Sequence, residues 1–140
     1  MCSYFECIYL WKVDEIIMSE LKRYSPLPRF NYEPCSIVAL SYAIKDSSGR
    51  FPLELKPKGL YSNGYLSLKN MDLFIRQHFK NVEYRYYKAF NRQCLNDFNF
   101  MNLKAIVCVM GHYIYINNNE YISYFNNDSD KVVAIWIITT

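Results

Sequence analysis

The stretch KAIVCVMGHYIYINNNEYISYF, residues 104–125, consists of apolar and aromatic runs interrupted at Gly111 and at Asn117–Asn119. Its first run is almost wholly apolar, which is typical of a strand buried on both faces. Glycine permits a bend, and asparagine tolerates the left-handed conformation that turns require. We therefore expect a central strand that bends at Gly111 and continues, then a turn at Asn117–Asn119 and a returning strand. The predicted strands of this region are residues 104–110, 112–116, 120–125 and, further on, 130–138.

Helices are predicted upstream of these strands. CSIVALSYAIK (35–45) has almost no polar face, so it is predicted to be a helix buried on most sides, and Pro34 fits its start. The other predicted elements are helices at 13–23 and about 68–79, a strand at 82–90, a short helix at 94–101 and a long loop at 46–66. In the helix at 68–79, the predicted core-facing apolar side is formed by Met71, Leu73, Phe74 and Phe79. This order predicts an α+β fold, in which N-terminal helices, one of them buried and central, pack on a C-terminal antiparallel sheet.

Size and composition fit one domain over residues 1–140. Of the 140 residues, 51% are apolar, which is ample for one hydrophobic core. A net charge of +3 is too small to indicate disorder, and no block of like charges marks a basic arm. Charge alone therefore makes nucleic-acid binding an unfavoured function.

The cysteines and histidines indicate a reducing compartment and no metal. The cysteine count of five is odd and no C-x-x-C occurs, which argues against a disulfide framework and against a thiolate zinc site. The two histidines are isolated, and no glycine-rich phosphate motif is present. The N-terminus lacks the basic region of a signal peptide, and the apolar runs are too short to cross a bilayer. We expect a cytoplasmic protein without cofactor or membrane contact.

Cys35 is the first candidate catalytic residue. It is predicted at the first turn of a buried helix, where free backbone N–H groups and the helix dipole favour the thiolate. Its own backbone N–H can also face a developing oxyanion. Because a lone cysteine is more often simply a buried core residue, a catalytic role for Cys35 is supported only if a base lies beside it.

His112 is the candidate base, since it begins a strand in an otherwise apolar sheet. A thiol nucleophile needs such a base held within hydrogen-bonding distance. If Asn117–Asn119 is a three-residue loop, Asn126 lies on the same sheet face as His112 and can accept its Nδ1 proton. With a two-residue loop Asn127 takes that place, and Asp128, which shares the face of Asn126, is the charged alternative.

Together these pieces resemble the papain-like cysteine peptidases. In that superfamily the cysteine opens a central helix, the histidine begins a strand of an antiparallel sheet, and an Asn or Asp follows the next strand. The matching segments here are EPCSIVALSYAI and MGHYIYINNNEYISYFNN, and YISYFNN resembles the YxxxxN segment of the plant enzymes. The chain is also similar to small phage-encoded members related to bacteriocin-processing peptidases. The likeness covers about residues 30–138.

The resemblance implies a papain-like domain and a thiol peptidase or amidase with a Cys35–His112–Asn126 triad. It further implies a protein or peptide substrate and a phage-encoded protein, located in the cytoplasm of a bacterium or infected cell or associated with the virion.

Two positions depart from the family pattern. Arg29 stands where papain-like enzymes usually carry the Gln of the oxyanion hole, and Asn31 is the nearest amide that can replace it. The phage proteins often carry an Asp early in the second hairpin strand, where this chain has Ile122 and Ser123.

Two other functions compete with peptidase activity. The missing Gln favours a catalytically inactive papain-like protein that acts as a binding protein, a virion component or an inhibitor of a host protein. The segment VEYRYYKAFNR (82–92) interleaves cations with aromatics, a pattern that can stack the bases of single-stranded nucleic acid. A half-buried strand with its polar face outward explains the same pattern and is the favoured interpretation.

Overall fold

The computed structural model describes residues 20–139, and these contain two α-helices and a six-stranded mixed sheet. The helices are α1 (Cys35–Ser48) and α2 (Leu68–Arg76). The strands are β1 (Lys22–Tyr24), β2 (Val82–Tyr86), β3 (Lys104–Val109), β4 (His112–Asn117), β5 (Glu120–Ile122) and β6 (Val132–Ile138). The predicted α+β class is confirmed, and α1, α2, β3, β4 and β6 lie close to their predicted positions. The strands β2 and β5 are shorter than predicted, because they end at Tyr86 rather than at 90 and at Ile122 rather than at 125.

The sheet is mixed, whereas an antiparallel sheet was expected. Its strand order is β1-β5-β4-β3-β6-β2, and β1 runs parallel to β5 while every other pair is antiparallel. Most of the helix predicted at 13–23 lies outside the described residues, but its end at Lys22 and Arg23 is strand. Residues 22–24 are extended rather than helical because β5 supplies their backbone hydrogen-bond partners. The first of these bonds runs from the Lys22 N–H to the Asn119 carbonyl, at 2.9 Å.

The short helix predicted at 94–101 is also corrected, because only Leu95–Asp97 form a 3₁₀ turn.

A tight turn joins β3 to β4. Val109 pairs with His112, so only Met110 and Gly111 lie between the strands, and Gly111 adopts a φ of 75°. Gly111 therefore closes a hairpin, and the predicted bend in one continuous strand is wrong. The turn fixes His112 as the first residue of β4.

The next hairpin also has a two-residue loop. Asn117 pairs with Glu120, and Asn118 and Asn119 have φ values of 53° and 63°. Two successive positive φ angles are the geometry of a type I′ turn, whose twist suits a hairpin. Of the two loop lengths left open by the sequence, the two-residue loop is the one observed, and the three-residue loop that favoured Asn126 is wrong. Every residue of β5 therefore faces the opposite side from the one that the longer loop implied.

The side chain of Asn119 anchors this turn, and its replacement gives a direct test of the turn's energetics. The buried Oδ1 accepts a hydrogen bond from the Phe100 N–H at 2.7 Å. Asn119→Gly keeps the positive φ but leaves that buried donor without this partner, so we expect a loss of about 1–3 kcal/mol in the free energy of unfolding, measured in urea. Asn118→Gly loses only a solvent-exposed hydrogen bond with the Asn102 N–H, at 3.0 Å, which water can replace, so it should change the free energy of unfolding by less than about 0.5 kcal/mol. Equal effects would show that the Phe100 contact is unimportant.

Both faces of the sheet are buried, which explains why its central strands are apolar without alternation. One face packs on α1 and α2, with Ile106, Tyr113 and Trp136 pointing to the helices. The other face, which includes Val107 and Ile114, packs on residues from the 87–100 segment. The sheet therefore forms the middle layer, and α1 lies across the strands that carry the candidate site.

Helix α2 presents a different apolar face from the one predicted. Met71, Phe74 and Ile75 are buried, whereas Leu73, which was expected in the core, is 53% exposed. Neither described helix is long and apolar enough to cross a membrane.

Candidate functional site

Cys35 is the first residue of α1, directly after Pro34. Its half-buried Sγ accepts a hydrogen bond from the backbone N–H of Tyr113, with an N···S distance of 3.5 Å. Burial raises the pKa of the Cys35 thiol, and the backbone N–H groups of Tyr113, Ser36 and Cys35 itself offset this only in part. The helix N-terminus therefore does not produce a standing thiolate, contrary to the simple dipole expectation, because desolvation has the larger effect.

His112 lies at the start of β4, and its partner is a serine. The Nε2 atom is 3.3 Å from the Oγ of Ser123, and the ring meets that of Phe125 edge-on at 6.2 Å between centroids. Burial lowers the pKa of His112, and the carboxylate of Asp130 offsets part of that effect. The imidazole is therefore neutral at physiological pH, which is the state required of a base.

Cys35 and His112 line one open cavity of about 180 Å³ at the N-terminal end of β4. Asn31 and Glu33 contribute to one wall. The complete lining is Pro26, Asn31, Glu33, Cys35, Val38, His112, Tyr113, Ile122, Ser123 and Tyr124. The structure thus brings the predicted nucleophile, base and oxyanion amide to a single concave site.

The thiol and the imidazole share this cavity without a hydrogen bond between them in the described part of the chain. Alternation along β4 explains the separation. Tyr113 faces α1, whereas Ile114 lies on the opposite face, so the first residue, His112, begins on the side of Ile114. The two side chains approach the cavity around the end of the strand.

The structure does not bring Asn126 to His112. Asn126 is exposed, and its Oδ1 accepts a hydrogen bond from the Asp128 N–H at 2.9 Å and lies 3.4 Å from the Tyr121 hydroxyl oxygen. Asp128 is likewise occupied, accepting from the Tyr121 hydroxyl at 2.7 Å. The cause is the two-residue turn, which shifts the register of β5 by one residue and so removes the alternation that would have placed Asn126 on the side of His112.

Ser123 takes the place expected for an amide or carboxylate, and sequence reasoning did not assign it this contact. Its Oγ is 2.5 Å from Oδ1 of Asn127, whose Nδ2 donates to Asp130 at 2.7 Å. For a two-residue loop, Asn127 was the residue expected on the same sheet face as His112. Ser123 is an even number of residues from Asn127, so alternation places it on that face too. Asn127 is therefore on the His112 side but reaches the ring only through Ser123.

Asn31 and Arg29 occupy different surroundings. The Oδ1 of Asn31 accepts a hydrogen bond from the Tyr124 hydroxyl at 3.4 Å across the cavity mouth. The guanidinium of Arg29 lies over the rings of Phe30 and Phe51, at 5.1 and 5.3 Å, and does not line the cavity. Of the two residues, only Asn31 can donate to a group bound beside Cys35.

The 82–92 segment uses several of its aromatic and cationic groups within the fold. Arg85 forms an ion pair with Glu83, and the Nε of Arg92 donates to the Tyr87 carbonyl at 2.9 Å. Tyr84 packs on Trp136 with 5.1 Å between centroids. These contacts favour the interpretation of the segment as a partly buried edge strand.

Within residues 20–139, no group of three or more His, Cys, Asp or Glu side chains is arranged to hold a metal ion. Comparison of the chain with protein-family models, with curated proteins and with solved structures gave no match.

Proposed function

We propose that this protein is a papain-like thiol peptidase or amidase that cleaves an amide bond in a protein or peptide. The observation that carries the proposal is the shared cavity, which is lined by both the Cys35 residue at the start of α1 and the His112 residue at the start of β4. A nucleophile, a base and a concave site in one place are the elements that acyl transfer requires.

The reaction begins from a neutral pair. As the Cys35 sulfur attacks the substrate carbonyl carbon, His112 accepts the thiol proton, and the backbone N–H of Cys35 and the amide of Asn31 donate to the oxyanion. His112 then protonates the leaving amine, which departs as the thioester forms. Water, deprotonated by His112, attacks the thioester carbonyl carbon. The C–S bond then breaks, the acyl group leaves as a carboxylic acid, and protonated His112 returns a proton to the Cys35 sulfur, which restores the thiol and the neutral imidazole.

The pH dependence of Cys35 alkylation tests this pair directly. The pKa of His112 is lowered from 6.5 and that of Cys35 is raised from 9.0. The base form of His112 appears as pH rises through its lowered pKa. As pH is increased, the rate of Cys35 alkylation by iodoacetamide should therefore rise in a first step below pH 6.5 and then remain constant. A second rise should follow above pH 9.0, where the thiol itself ionises. Mass spectrometry of Cys35-containing peptides measures the rate.

His112→Gln should remove the lower step and slow alkylation at pH 7.5 by about 10²-fold. His78→Gln, at a helix end away from the cavity, is the matched control and should leave both steps in place. The half-buried thiol of Cys94 reports ordinary reactivity in the same sample. A wild-type profile for Cys35 with only the rise above pH 9.0 would remove the proposed mechanism.

A non-catalytic binding protein on the same scaffold is the second candidate. It is favoured by the raised pKa of Cys35 and by the separation of its thiol from the His112 ring. This candidate predicts that Cys35 is alkylated no faster than an ordinary thiol in the same experiment.

A further inference from the structure

A continuous hydrogen-bond chain runs from Asp130 through Asn127 and Ser123 to His112. Its links are 2.7 Å, 2.5 Å and 3.3 Å long, and both Ser123 and Asn127 are buried. The chain joins the candidate base to a carboxylate that does not line the cavity.

Each link has a defined direction, starting from the carboxylate. Ionised Asp130 only accepts, so the amide group of Asn127 must present Nδ2 to it and Oδ1 to Ser123. An amide oxygen can only accept a hydrogen bond, so the Ser123 hydroxyl donates its single proton to Oδ1 of Asn127. Ser123 Oγ already accepts from the Phe125 N–H at 3.2 Å, which leaves one acceptor site facing His112.

We infer that Ser123 is the positioning residue of the candidate base, and that Asp130, acting through Asn127 and Ser123, fixes His112 in the tautomer protonated at Nε2. The Nδ1 atom then carries the ring's only lone pair and is the atom that accepts a proton. This assignment reverses the sequence-based expectation, in which the Nδ1 proton was the one given to an orienting amide.

This inference deepens the proposed function, because it names the nitrogen through which His112 acts in that reaction. It does not need catalysis to be tested, since a tautomer has its own spectroscopic signature. In the ¹⁵N-labelled full chain at pH 8, we expect a protonated Nε2 and an unprotonated Nδ1 for His112, with the other tautomer about tenfold less populated. His112→Gln assigns the signals against His78.

Asp130→Asn is the decisive variant because it is isosteric and three links from the ring. A carboxamide both donates and accepts, so the Asn127 amide is free to turn over and Ser123 to donate to Nε2. The two His112 ¹⁵N shifts should therefore move toward each other. Ser123→Ala should also change them and Ser123→Thr should restore them, whereas Asn126→Ala, outside the chain, should not.

The outcomes separate the two proposals. Wild-type shifts in Asp130→Asn, or a wild-type proton on Nδ1, would overturn the assigned chain even if Cys35 proves reactive. If the shifts behave as expected but Cys35 alkylates like an ordinary thiol, the chain stands and the peptidase proposal fails.

Discussion

Cys35→Ala is expected to lower the rate of peptide-amide hydrolysis by about 10³-fold or more, because loss of the nucleophile leaves only binding and oxyanion stabilisation. The probe is a positional-scanning library of fluorogenic peptide amides, with kcat/KM measured for the best sequence. The physical reason is local: Cys35 is the thiol of the described residues that lines the cavity with His112.

The matched controls for this loss are also cysteine variants. Cys94→Ala removes a half-buried thiol outside the cavity and should retain hydrolysis within about twofold. Cys35→Ser tests nucleophilicity at constant shape and should be nearly as inactive as the alanine variant. Hydrolysis that persists in Cys35→Ala would refute the assigned nucleophile. Complete absence of hydrolysis in the wild type across the library would favour the non-catalytic binding protein.

Trp136→Ala is expected to cost about 3–5 kcal/mol of unfolding free energy, the largest effect on stability that we predict. Trp136 is fully buried on β6, its ring lies 6.1 Å from that of Tyr113, and its Nε1 donates to Asp72 of α2 at 3.0 Å. The substitution therefore opens a cavity in the core and breaks the polar link between α2 and the sheet. Urea denaturation measures the loss.

Trp136→Phe keeps the measurement possible if the alanine variant does not fold. It retains much of the apolar volume but loses the hydrogen bond, so we expect a cost of about 1–3 kcal/mol. Phe90→Ala is the control, because Phe90 is 84% exposed and its removal should change stability by less than about 0.5 kcal/mol. A cost below about 1 kcal/mol for Trp136→Ala would contradict the role of this side chain as the centre of the helix-facing core.

The apolar strands and α1 could be predicted from sequence because burial on both sides leaves a strong local signal. KAIVCVM and DKVVAIWII contain β3 and β6, and CSIVALSYAIK begins at the first residue of α1. The strand β1 could not be predicted in this way. Its three residues, Lys22–Tyr24, are exposed, and only pairing with the distant β5 makes them a strand.

The partner of His112 could not be predicted because its identity depends on one residue of loop length. Asparagine suits turns of either two or three residues, so NNN did not distinguish them. The structure has the shorter turn, which brings Ser123 to the ring and Asn126 away from it. A serine directly after a strand carries little information of its own, and the importance of Ser123 arises only from the register of β5 and from its hydrogen bond to Asn127.

The wide spacing of these residues along the chain also has a consequence for protein synthesis. The groups that would carry the reaction and orient its base come from segments between Asn31 and Asp130, and Cys35 is translated long before His112. As the chain leaves the ribosome, Cys35 emerges before His112 and before the sheet on which α1 packs. Under the proposed function, the nascent chain would therefore carry an inactive thiol until the last strands have emerged and paired, and it would not cleave neighbouring polypeptides during its synthesis.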